Sequence, residues 1–468
     1  MIARNPAIRT ASLSGPTTGA IKQTFTFVAA ILFLYAFLRF SVLHELLAAR
    51  FGIELKYNMI MGPLLVLLII FSGELGHVLQ TQTAKFSIAF FVWLLISVPF
   101  SYWRAGTVEL INGFINGTLP VFWAFACLVT STYMFRNVAL AVLAASAALL
   151  AYRPELESGD GRLGLDFGSL SNPNDMSFHL LLLIPFCFYI FRDQRSAFLR
   201  WAALACGAGL LGLAVQTGSR GGLLSVFVVL LIVFIRLKMS QKIPFIAGAV
   251  LVGTLFFFSL SETSRVRYST MFSGDADATG IEEDNRQAEW SSSSDARKYL
   301  LIRSLAQTWH HPIVGVGAGQ FAIAEAERST SLGLRPAWMQ SHNAYTQISS
   351  EMGLPGFIFY AGMMITAVGM TLKILKLTKD RPDLRRFYHM AEMLFLCWIV
   401  YGVNSFFNHL GYRMYMPALA GMSVALYYTF QREALSGPGT VTTRLGTPAA
   451  RNFQLKKQLA ARSSTTPA

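Results

Sequence analysis

The chain has 468 residues, of which 53% are hydrophobic and only 14% are charged, and its mean hydropathy is +0.46. Because a soluble protein carries roughly 25% charged residues, this composition excludes an ordinary soluble protein and indicates an integral membrane protein. The net charge of +14 does not indicate a nucleic-acid partner, since the basic residues lie in short connections between apolar runs, as membrane orientation requires. The four cysteines lie inside apolar runs, with neither a disulfide framework nor a metal-ligand spacing.

The apolar runs predict an all-α integral membrane protein with about twelve transmembrane helices, since a span needs about 20 apolar residues. The predicted spans are residues 24–43, 57–73, 84–102, 110–131, 136–152, 176–191, 199–216, 222–238, 243–260, 343–372, 387–407 and 414–431. The first run lacks a small-residue cleavage site, so we interpret it as a retained span and not as a signal peptide. The tenth run is interrupted by Gly353-Leu354-Pro355-Gly356. There we expect a short interfacial helix followed by a span.

The placement of lysine and arginine predicts the orientation. Basic clusters follow the sixth, eighth and tenth spans and recur in the C-terminal tail, and an even number of spans puts all of them on the cytoplasmic side. The predicted organisation is listed from the N-terminus: a cytoplasmic tail at 1–23, spans one to nine at 24–260, an outer loop at 261–341, spans ten to twelve at 342–431, and a basic cytoplasmic tail at 432–468. We expect that tail to lie on anionic membrane lipids.

An abrupt polar break, Thr217-Gly218-Ser219-Arg220-Gly221-Gly222, separates the seventh and eighth spans on the outer side. Its glycines would let the backbone approach a ligand closely. An arginine at a helix N-terminus makes an anion site that is well suited to phosphate, and Ser219 lies beside it. The alternative is an arginine that snorkels to lipid headgroups, but the flanking glycines and tight turn favour an anion site.

The outer loop has helical periodicity from Asp295 to Gln307, and this stretch carries Arg297 and Arg303. Six residues apart on one helix, these two arginines point in different directions, so at most one of them faces the Arg220 site. The glycines of Gly315-Val316-Gly317-Ala318-Gly319 follow no predicted strand, which excludes a dinucleotide fingerprint. We interpret them as a tight turn that returns the chain toward the membrane.

The loop ends at Ser341-His342-Asn343, just before the tenth span. Ser341 is the predicted N-cap, which places His342 in the first helical turn. Histidine titrates close to neutral pH and can act as a general base; the alternative is a histidine that only faces headgroups. Glu351 lies nine residues further on, about 180° around a continuous helix, so we assign it a structural role.

Other polar residues are predicted at the outer ends of spans. Asn172-Pro173-Asn174-Asp175 is interpreted as a turn and helix start, with His179 one turn further and able to reach an outer cavity. His409 and Arg413 occupy the last outer turn, where they would line the acceptor side of a site.

Taken in order, three motifs resemble the O-antigen ligase and O-antigen polymerase superfamily of bacterial envelope glycan transferases. They are Gly218-Ser219-Arg220-Gly221-Gly222, Arg297 followed by His311-Pro312-Ile313-Val314-Gly315-Val316-Gly317, and His342-Asn343 with Glu351-Met352-Gly353-Leu354-Pro355-Gly356. The resemblance covers residues of roughly 170–360. Tyr299-Leu300-Leu301 departs from it, because relatives often have a tryptophan there.

The resemblance implies a fold like that of the C-type glycosyltransferases, in the bacterial inner membrane, with the outer loop and the active site in the periplasm. It implies a glycan donor linked through diphosphate to undecaprenol, and transfer of the glycan to an acceptor such as lipid A-core. Arg220 and Arg297 would hold the diphosphate, and His342 would activate or orient the acceptor hydroxyl. Ser219, Arg303, Asn343, His409 and Arg413 complete the predicted substrate-binding set.

No cofactor and no metal is expected, because no convincing metal-ligand cluster stands out in the loops. The related alternatives are a polymerase of O-antigen or exopolysaccharide, which extends a carrier-linked chain, and a protein O-oligosaccharyltransferase. A more distant alternative is a transporter or flippase, for which twelve spans are suitable. Transporters, however, tend to show internal repeats and broken helices near mid-membrane, and here the unusual polar residues gather on one side.

Overall fold

The computed structural model describes residues 18–152, 163–165, 168–260, 265, 268, 293–333 and 338–435. Over these ranges the chain is all-helical and contains no β-strand. The helices are α1 (Thr18–Ser41), α2 (Leu43–Phe51), α3 (Tyr57–Phe71), α4 (Leu75–Leu79), α5 (Gln82–Ser97), α6 (Arg104–Gly117), α7 (Leu119–Leu128), α8 (Thr132–Ala151), α9 (Pro173–Asp193), α10 (Ala197–Gln216), α11 (Arg220–Arg236), α12 (Met239–Ser259), α13 (Ser293–His310), α14 (Phe321–Ser331), α15 (Ala344–Thr378), α16 (Arg385–Asn404) and α17 (Tyr415–Leu435). The predictions for most of both tails and for most of residues 261–292 lie outside the described residues.

Within the described ranges, seven stretches are long and apolar enough to cross a membrane, or eight if the bent pair α1–α2 forms one span. The seven are Gln82–Phe100, Arg104–Leu128, Thr132–Ala151, Pro173–Asp193, Ala197–Gln216, Met239–Phe258 and Ala344–Thr378. α3 and α11 are apolar but have 15 and 17 residues, which is short of the roughly 20 that a span needs. The chain is thus a multi-pass membrane protein by its helices, and the total of twelve spans stays a prediction.

Each of the twelve predicted runs coincides with helix, but two details differ. The run at 110–131 divides into α6 and α7 at Thr118, because Pro120 in the first turn of α7 has no N–H with which to continue α6. The chain after α1 bends by 60° into α2, a helix that was not predicted. Its charged residues, among them Glu45 and Arg50, made this stretch look like a connection.

The centre of the bundle is α9, which packs against α8, α10, α11 and α16. Most of its side chains are buried, whereas α12 buries none in its span. Large apolar side chains on α12, such as Val250, Leu251 and Leu255, are exposed. Such a surface would be unfavourable in water but suits contact with lipid tails, because the helix satisfies its own backbone hydrogen bonds.

α15 is broken at Gly353, whose φ of 67° and ψ of −175° are not helical. The turn at residues 312–319 fits into this break. Leu354 N donates a hydrogen bond to the carbonyl of the first residue of the turn at 2.7 Å, and Val316 N donates to Ser350 O at 2.9 Å. The predicted break in α15 and the predicted tight turn are therefore confirmed. The backbone groups that the break leaves without helical partners form hydrogen bonds with the turn.

Candidate active site

α11 begins at Arg220, at the polar break identified in the sequence. A Cβ at Gly222 would overlap Ser177 Oγ of α9, and one at Gly221 would lie 3.0 Å from the Phe407 ring. Only glycine therefore lets the start of α11 pack this closely on α9 and on the segment at 405–414. The half-buried Arg220 is held at this junction.

Ser219 has a structural role at the same helix start. Its Oγ accepts a hydrogen bond from Gly222 N at 3.2 Å, and the residue is buried. Gly218 precedes it with a φ of 63°, the left-handed conformation that glycine adopts without strain. The structure thus gives Ser219 an N-capping role, and its predicted contact with the substrate stays a prediction.

The prediction that Ser341 caps the helix with His342 in its first turn is wrong. Ser341 Oγ donates to Asn343 O at 3.2 Å, and the N-cap is Asn343, whose Oδ1 accepts from Tyr345 N at 3.0 Å and from Thr346 N at 3.1 Å. His342 precedes the helix with a φ of 49°. That conformation is uncommon for a residue other than glycine and costs about 1 kcal/mol or more, so surrounding contacts must hold it.

Those contacts come from the segment at 405–414 between α16 and α17. Ala344 N donates to Ser405 O at 2.7 Å, and Asn343 Nδ2 donates to Phe406 O at 3.5 Å. Asn343 is thus buried and bonded to backbone through both ends of its amide. Asn343 therefore has an anchoring role that fixes His342 against the neighbouring segment, and its predicted contact with the substrate stays a prediction.

His342 and His409 are brought together, with ring centroids 5.8 Å apart and rings nearly perpendicular at 81°. Arg297 and Asp175 lie close enough for their charges to act on His342. Arg413 in turn acts on both His409 and Asp175. We call these five residues the histidine site. The structure thus assembles it from four separate parts of the chain.

Burial lowers the pKa of His342 to about 4, and the charges of His409 and Arg297 act in the same direction, while Asp175 opposes them. Burial also lowers the pKa of His409 to about 4, with a further contribution from Arg413. Both imidazoles are therefore neutral near pH 7. The expectation that His342 titrates near neutral pH is wrong, because its site is both desolvated and cationic.

Asp175 is a residue of this site that the sequence analysis missed. Asn172 caps α9 by accepting from Asn174 N at 2.8 Å, so the turn and helix start are confirmed. Asp175, however, stands in the first turn of α9, buried, and its carboxylate shares the site with Arg413 and His342. The available signal was a carboxylate at the outer end of an apolar span, where a charge that only caps a helix would face water.

Arg303 is placed elsewhere. Its Nε lies 3.2 and 3.1 Å from the two carboxylate oxygens of Glu325, which also accepts from Arg328 Nη2 at 2.6 Å and from Tyr299 Oη at 2.7 Å. Burial opposes ionisation of Glu325, but the hydrogen bonds from Arg328, Tyr299 and Arg303 hold the pKa of this carboxyl below its usual value. We call these four residues the ion cluster; it joins α13 to α14.

Two further residues have structural partners. His179 is fully buried, with Nδ1 3.0 Å from Tyr415 Oη and Nε2 2.9 Å from Phe40 O, so both ring nitrogens have partners and it does not open into an outer cavity. Glu351 accepts from Gly319 N at 2.8 Å and thereby holds the turn against the break in α15. Its structural role agrees with the sequence interpretation.

Among the described residues, no group of three or more His, Cys, Asp or Glu side chains is placed to hold a metal ion. The cationic groups at the histidine site are arginines. An arginine presents fixed N–H donors to a phosphate in a planar fork, so the arrangement can bind an anion beside two neutral imidazoles.

The fold and the site define an all-helical, multi-pass membrane protein with a cationic polar site at one end of its bundle. Residues 208–361 match the family of O-antigen ligases, which confirms the resemblance indicated by the motifs. The match includes Arg220, Arg297 and His342, whereas Asp175, His409 and Arg413 lie outside it. It supports a function of the O-antigen ligase and polymerase kind. A search of curated proteins finds no matching relative.

Proposed function

We propose that the protein is an O-antigen ligase-like glycan transferase of the bacterial inner membrane. It moves a polysaccharide from undecaprenyl diphosphate to a hydroxyl of an acceptor, lipid A-core, on the periplasmic side, with both termini in the cytoplasm. The observation that carries the proposal is the meeting of the His342 and His409 rings where the charges of Arg297 and Arg413 act on them, inside and beside the stretch that matches O-antigen ligases.

The donor diphosphate is assigned to Arg220 and Arg297. Arg220 stands at the start of α11, where the positive end of the helix dipole favours an anion. Arg297 already lowers the proton affinity of His342 by its charge, so it acts within the same small volume. Two arginines stabilise the negative charge that develops on a departing diphosphate, and on this mechanism the transfer needs no metal ion.

The acceptor hydroxyl is assigned to His342. The hydroxyl oxygen attacks the anomeric carbon, the bond from that carbon to the diphosphate oxygen breaks, and undecaprenyl diphosphate leaves with the electron pair. His342 takes the hydroxyl proton. Attack from the side opposite the leaving group inverts the configuration at that carbon.

A histidine with a pKa of about 4 is a weak base in the free protein. The bound diphosphate, however, offsets the positive charges of Arg297 and Arg220, and a nearby negative charge raises the pKa of an imidazole. Donor binding therefore makes His342 a better base, and the deprotonating group becomes effective only when a donor is in place.

The first test uses purified protein in lipid nanodiscs with carrier-linked glycan, with and without lipid A-core, and sizes the products on a gel. Glycan on lipid A-core, and no lengthening in its absence, is the expected result. Lengthening of carrier-linked chains without lipid A-core would instead make the protein a polymerase, and glycan on an added protein would make it an O-oligosaccharyltransferase.

The controls are Arg220→Gln, His342→Gln and a metal chelator. Both variants are expected to lose transfer, and the chelator to leave the wild-type rate unchanged. If no product forms with any acceptor but the carrier-linked glycan changes leaflet in vesicles, the protein is a flippase and the proposal fails.

A further inference from the structure

A cavity lies beside the histidine site, between α1, α2, α6 and the start of α17. Its volume is about 280 Å³, close to the lower end of the roughly 300–1,000 Å³ of small-molecule sites. It is large enough for a sugar unit but not for a long chain. Its lining residues are Arg39, Val42, His44, Glu45, Leu110, Gly113, Phe114, Thr118, Ser169, Tyr412, Arg413, Met414 and Tyr415.

Arg39 is fixed in the wall of this cavity. Its Nη1 donates to Tyr57 Oη at 2.9 Å, and its Nη2 donates to Gly117 O at 2.6 Å. Its Nε is buried and makes no hydrogen bond to any described residue. A buried donor without a partner is unfavourable, so an acceptor atom in the cavity would stabilise this guanidinium.

The charges of the lining favour an anion. Among the described residues that line the cavity, one carboxylate, that of Glu45, opposes Arg39 and Arg413. That carboxylate is already occupied, because its Oε2 accepts from Ser169 N at 2.8 Å and from Ser169 Oγ at 3.0 Å. The aromatic side chains of Phe114, Tyr412 and Tyr415 supply flat apolar surface, which together with fixed polar groups suits a sugar ring.

Arg413 connects this cavity to the histidine site, since it lines the cavity and also acts on His409 and Asp175. A ligand in the cavity thus lies one side chain away from the imidazoles. We propose that the cavity is the acceptor subsite and recognises a sugar unit that carries an anionic group, phosphate or carboxylate, through Arg39 and Arg413. This inference rests on the proposed function of the histidine site.

The test measures binding of an oligosaccharide by calorimetry to the full-length protein in phosphatidylcholine nanodiscs, without any donor. The probe is delipidated core oligosaccharide in three forms: native, dephosphorylated and carboxyl-reduced. Arg413→Gln is expected to weaken binding of the native form about tenfold or more, the size of a lost charge-assisted hydrogen bond. Glu45→Gln makes the cavity more cationic and is expected to tighten binding. Arg104→Gln, an exposed arginine of α6, is expected to bind like wild type.

The form that loses affinity identifies the anionic group as phosphate or carboxylate. Equal binding of the native and both modified forms would overturn the proposal, as would weaker binding of native oligosaccharide to the Glu45→Gln protein. Loss of binding when phosphatidylglycerol replaces part of the phosphatidylcholine would assign the cavity to a lipid headgroup and also overturn it. Because no transfer is measured, failure of the proposed function would leave these binding differences intact.

Discussion

Arg297 and Arg303 lie on the same helix, α13, but different residues surround them. Arg303 belongs to the ion cluster, where Glu325 neutralises it and Tyr299 and Arg328 complete the hydrogen bonds. Arg297 belongs to the histidine site, where its charge acts on His342 and that of Arg413 acts on His409, and both imidazoles are kept neutral near pH 7. A neutralised cluster of this kind holds helices together, whereas arginines beside neutral bases are suited to binding an anionic ligand.

The largest expected effect comes from Arg297→Gln. Removing one preorganised cation from the developing charge of a leaving group typically lowers kcat about 100-fold or more. The measurement is transfer of glycan to lipid A-core under saturating donor.

The matched control is Lys298→Gln, which removes the same charge from the adjacent, exposed position of α13 and is expected to retain the wild-type rate. If Arg297→Gln and Lys298→Gln were equally active, α13 would contribute only its general charge, and the contrast with Arg303 would have no functional meaning.

Glu325→Gln in the ion cluster is expected to lower the stability of the protein more than its rate of transfer. It leaves Arg303 and Arg328 without their counter-charge, and breaking a buried pair costs about 3–5 kcal/mol. The two arginine side chains are 20% and 31% exposed, so solvent screening reduces the expected loss to about 2 kcal/mol.

The loss should appear as faster hydrogen exchange in residues 293–331, with a smaller effect on transfer than that of Arg297→Gln. Glu327→Gln, an exposed neighbour on α14, is the control. Unchanged exchange in the Glu325→Gln protein would show that the ion cluster does not hold the two helices together.

The pH dependence tests the neutral imidazoles. With folded pKa values of about 4 for His342 and His409, kcat/KM for the donor is expected to be constant from pH 8 to about 5 and to fall toward pH 4, with the two histidines titrating as a pair. Because these pKa values lie below those of the unfolded chain, the unfolded state binds more protons in that window, and stability there rises with pH.

Arg413→Gln removes a charge that lowers the pKa of His409, so the acidic limb of the profile should move to higher pH and activity at pH 5 should fall severalfold. Arg385→Gln is the control. Arg385 lies at the first residue of α16, whereas the segment with His409 and Arg413 follows the last residue of that helix. The variant removes the same charge far from these rings and should leave the acidic limb of the profile in place. Two results would contradict the assignment of the acidic limb to His342 and His409. One is a wild-type limb near pH 6.5, and the other is a limb that moves to lower pH in the Arg413→Gln protein.

Much of the fold follows from the sequence because hydropathy and helix breakers act locally. The apolar runs predict nearly every long helix, and the Gly353–Gly356 interruption predicts the break in α15. α2 and the division between α6 and α7 were not predicted, since a short amphipathic helix and a single proline within an apolar run leave the overall hydropathy almost unchanged.

The candidate site was predicted less completely. The six-residue spacing of Arg297 and Arg303 correctly implied that they have different surroundings, and the topology placed Arg220 and His342 at the same end. The capping roles of Ser219 and Asn343 were not foreseen, because a residue that caps a helix has the same chemistry as one that binds a ligand. Asp175 was missed and the low pKa of His342 was not foreseen, since burial and neighbouring charges from distant parts of the chain decide both.

The smallest effects are expected at Asn343, which separates an anchoring residue from a binding residue. Asn343→Asp keeps the oxygen that accepts from Tyr345 N and Thr346 N, and a carboxylate is as good an N-cap as an amide. It gives up the long bond from Nδ2 to Phe406 O, so it is expected to melt slightly below wild type and to transfer like it. Asn343→Ala loses the cap and about 1 kcal/mol of stability, which thermal unfolding in nanodiscs would measure. A direct contact with the donor diphosphate would reverse the order, because an aspartate there would repel the phosphate while an alanine would only lose a hydrogen bond. Full transfer by Asn343→Asp together with a lower melting temperature for Asn343→Ala therefore shows that Asn343 serves the conformation of His342, and that anion binding is left to the arginines.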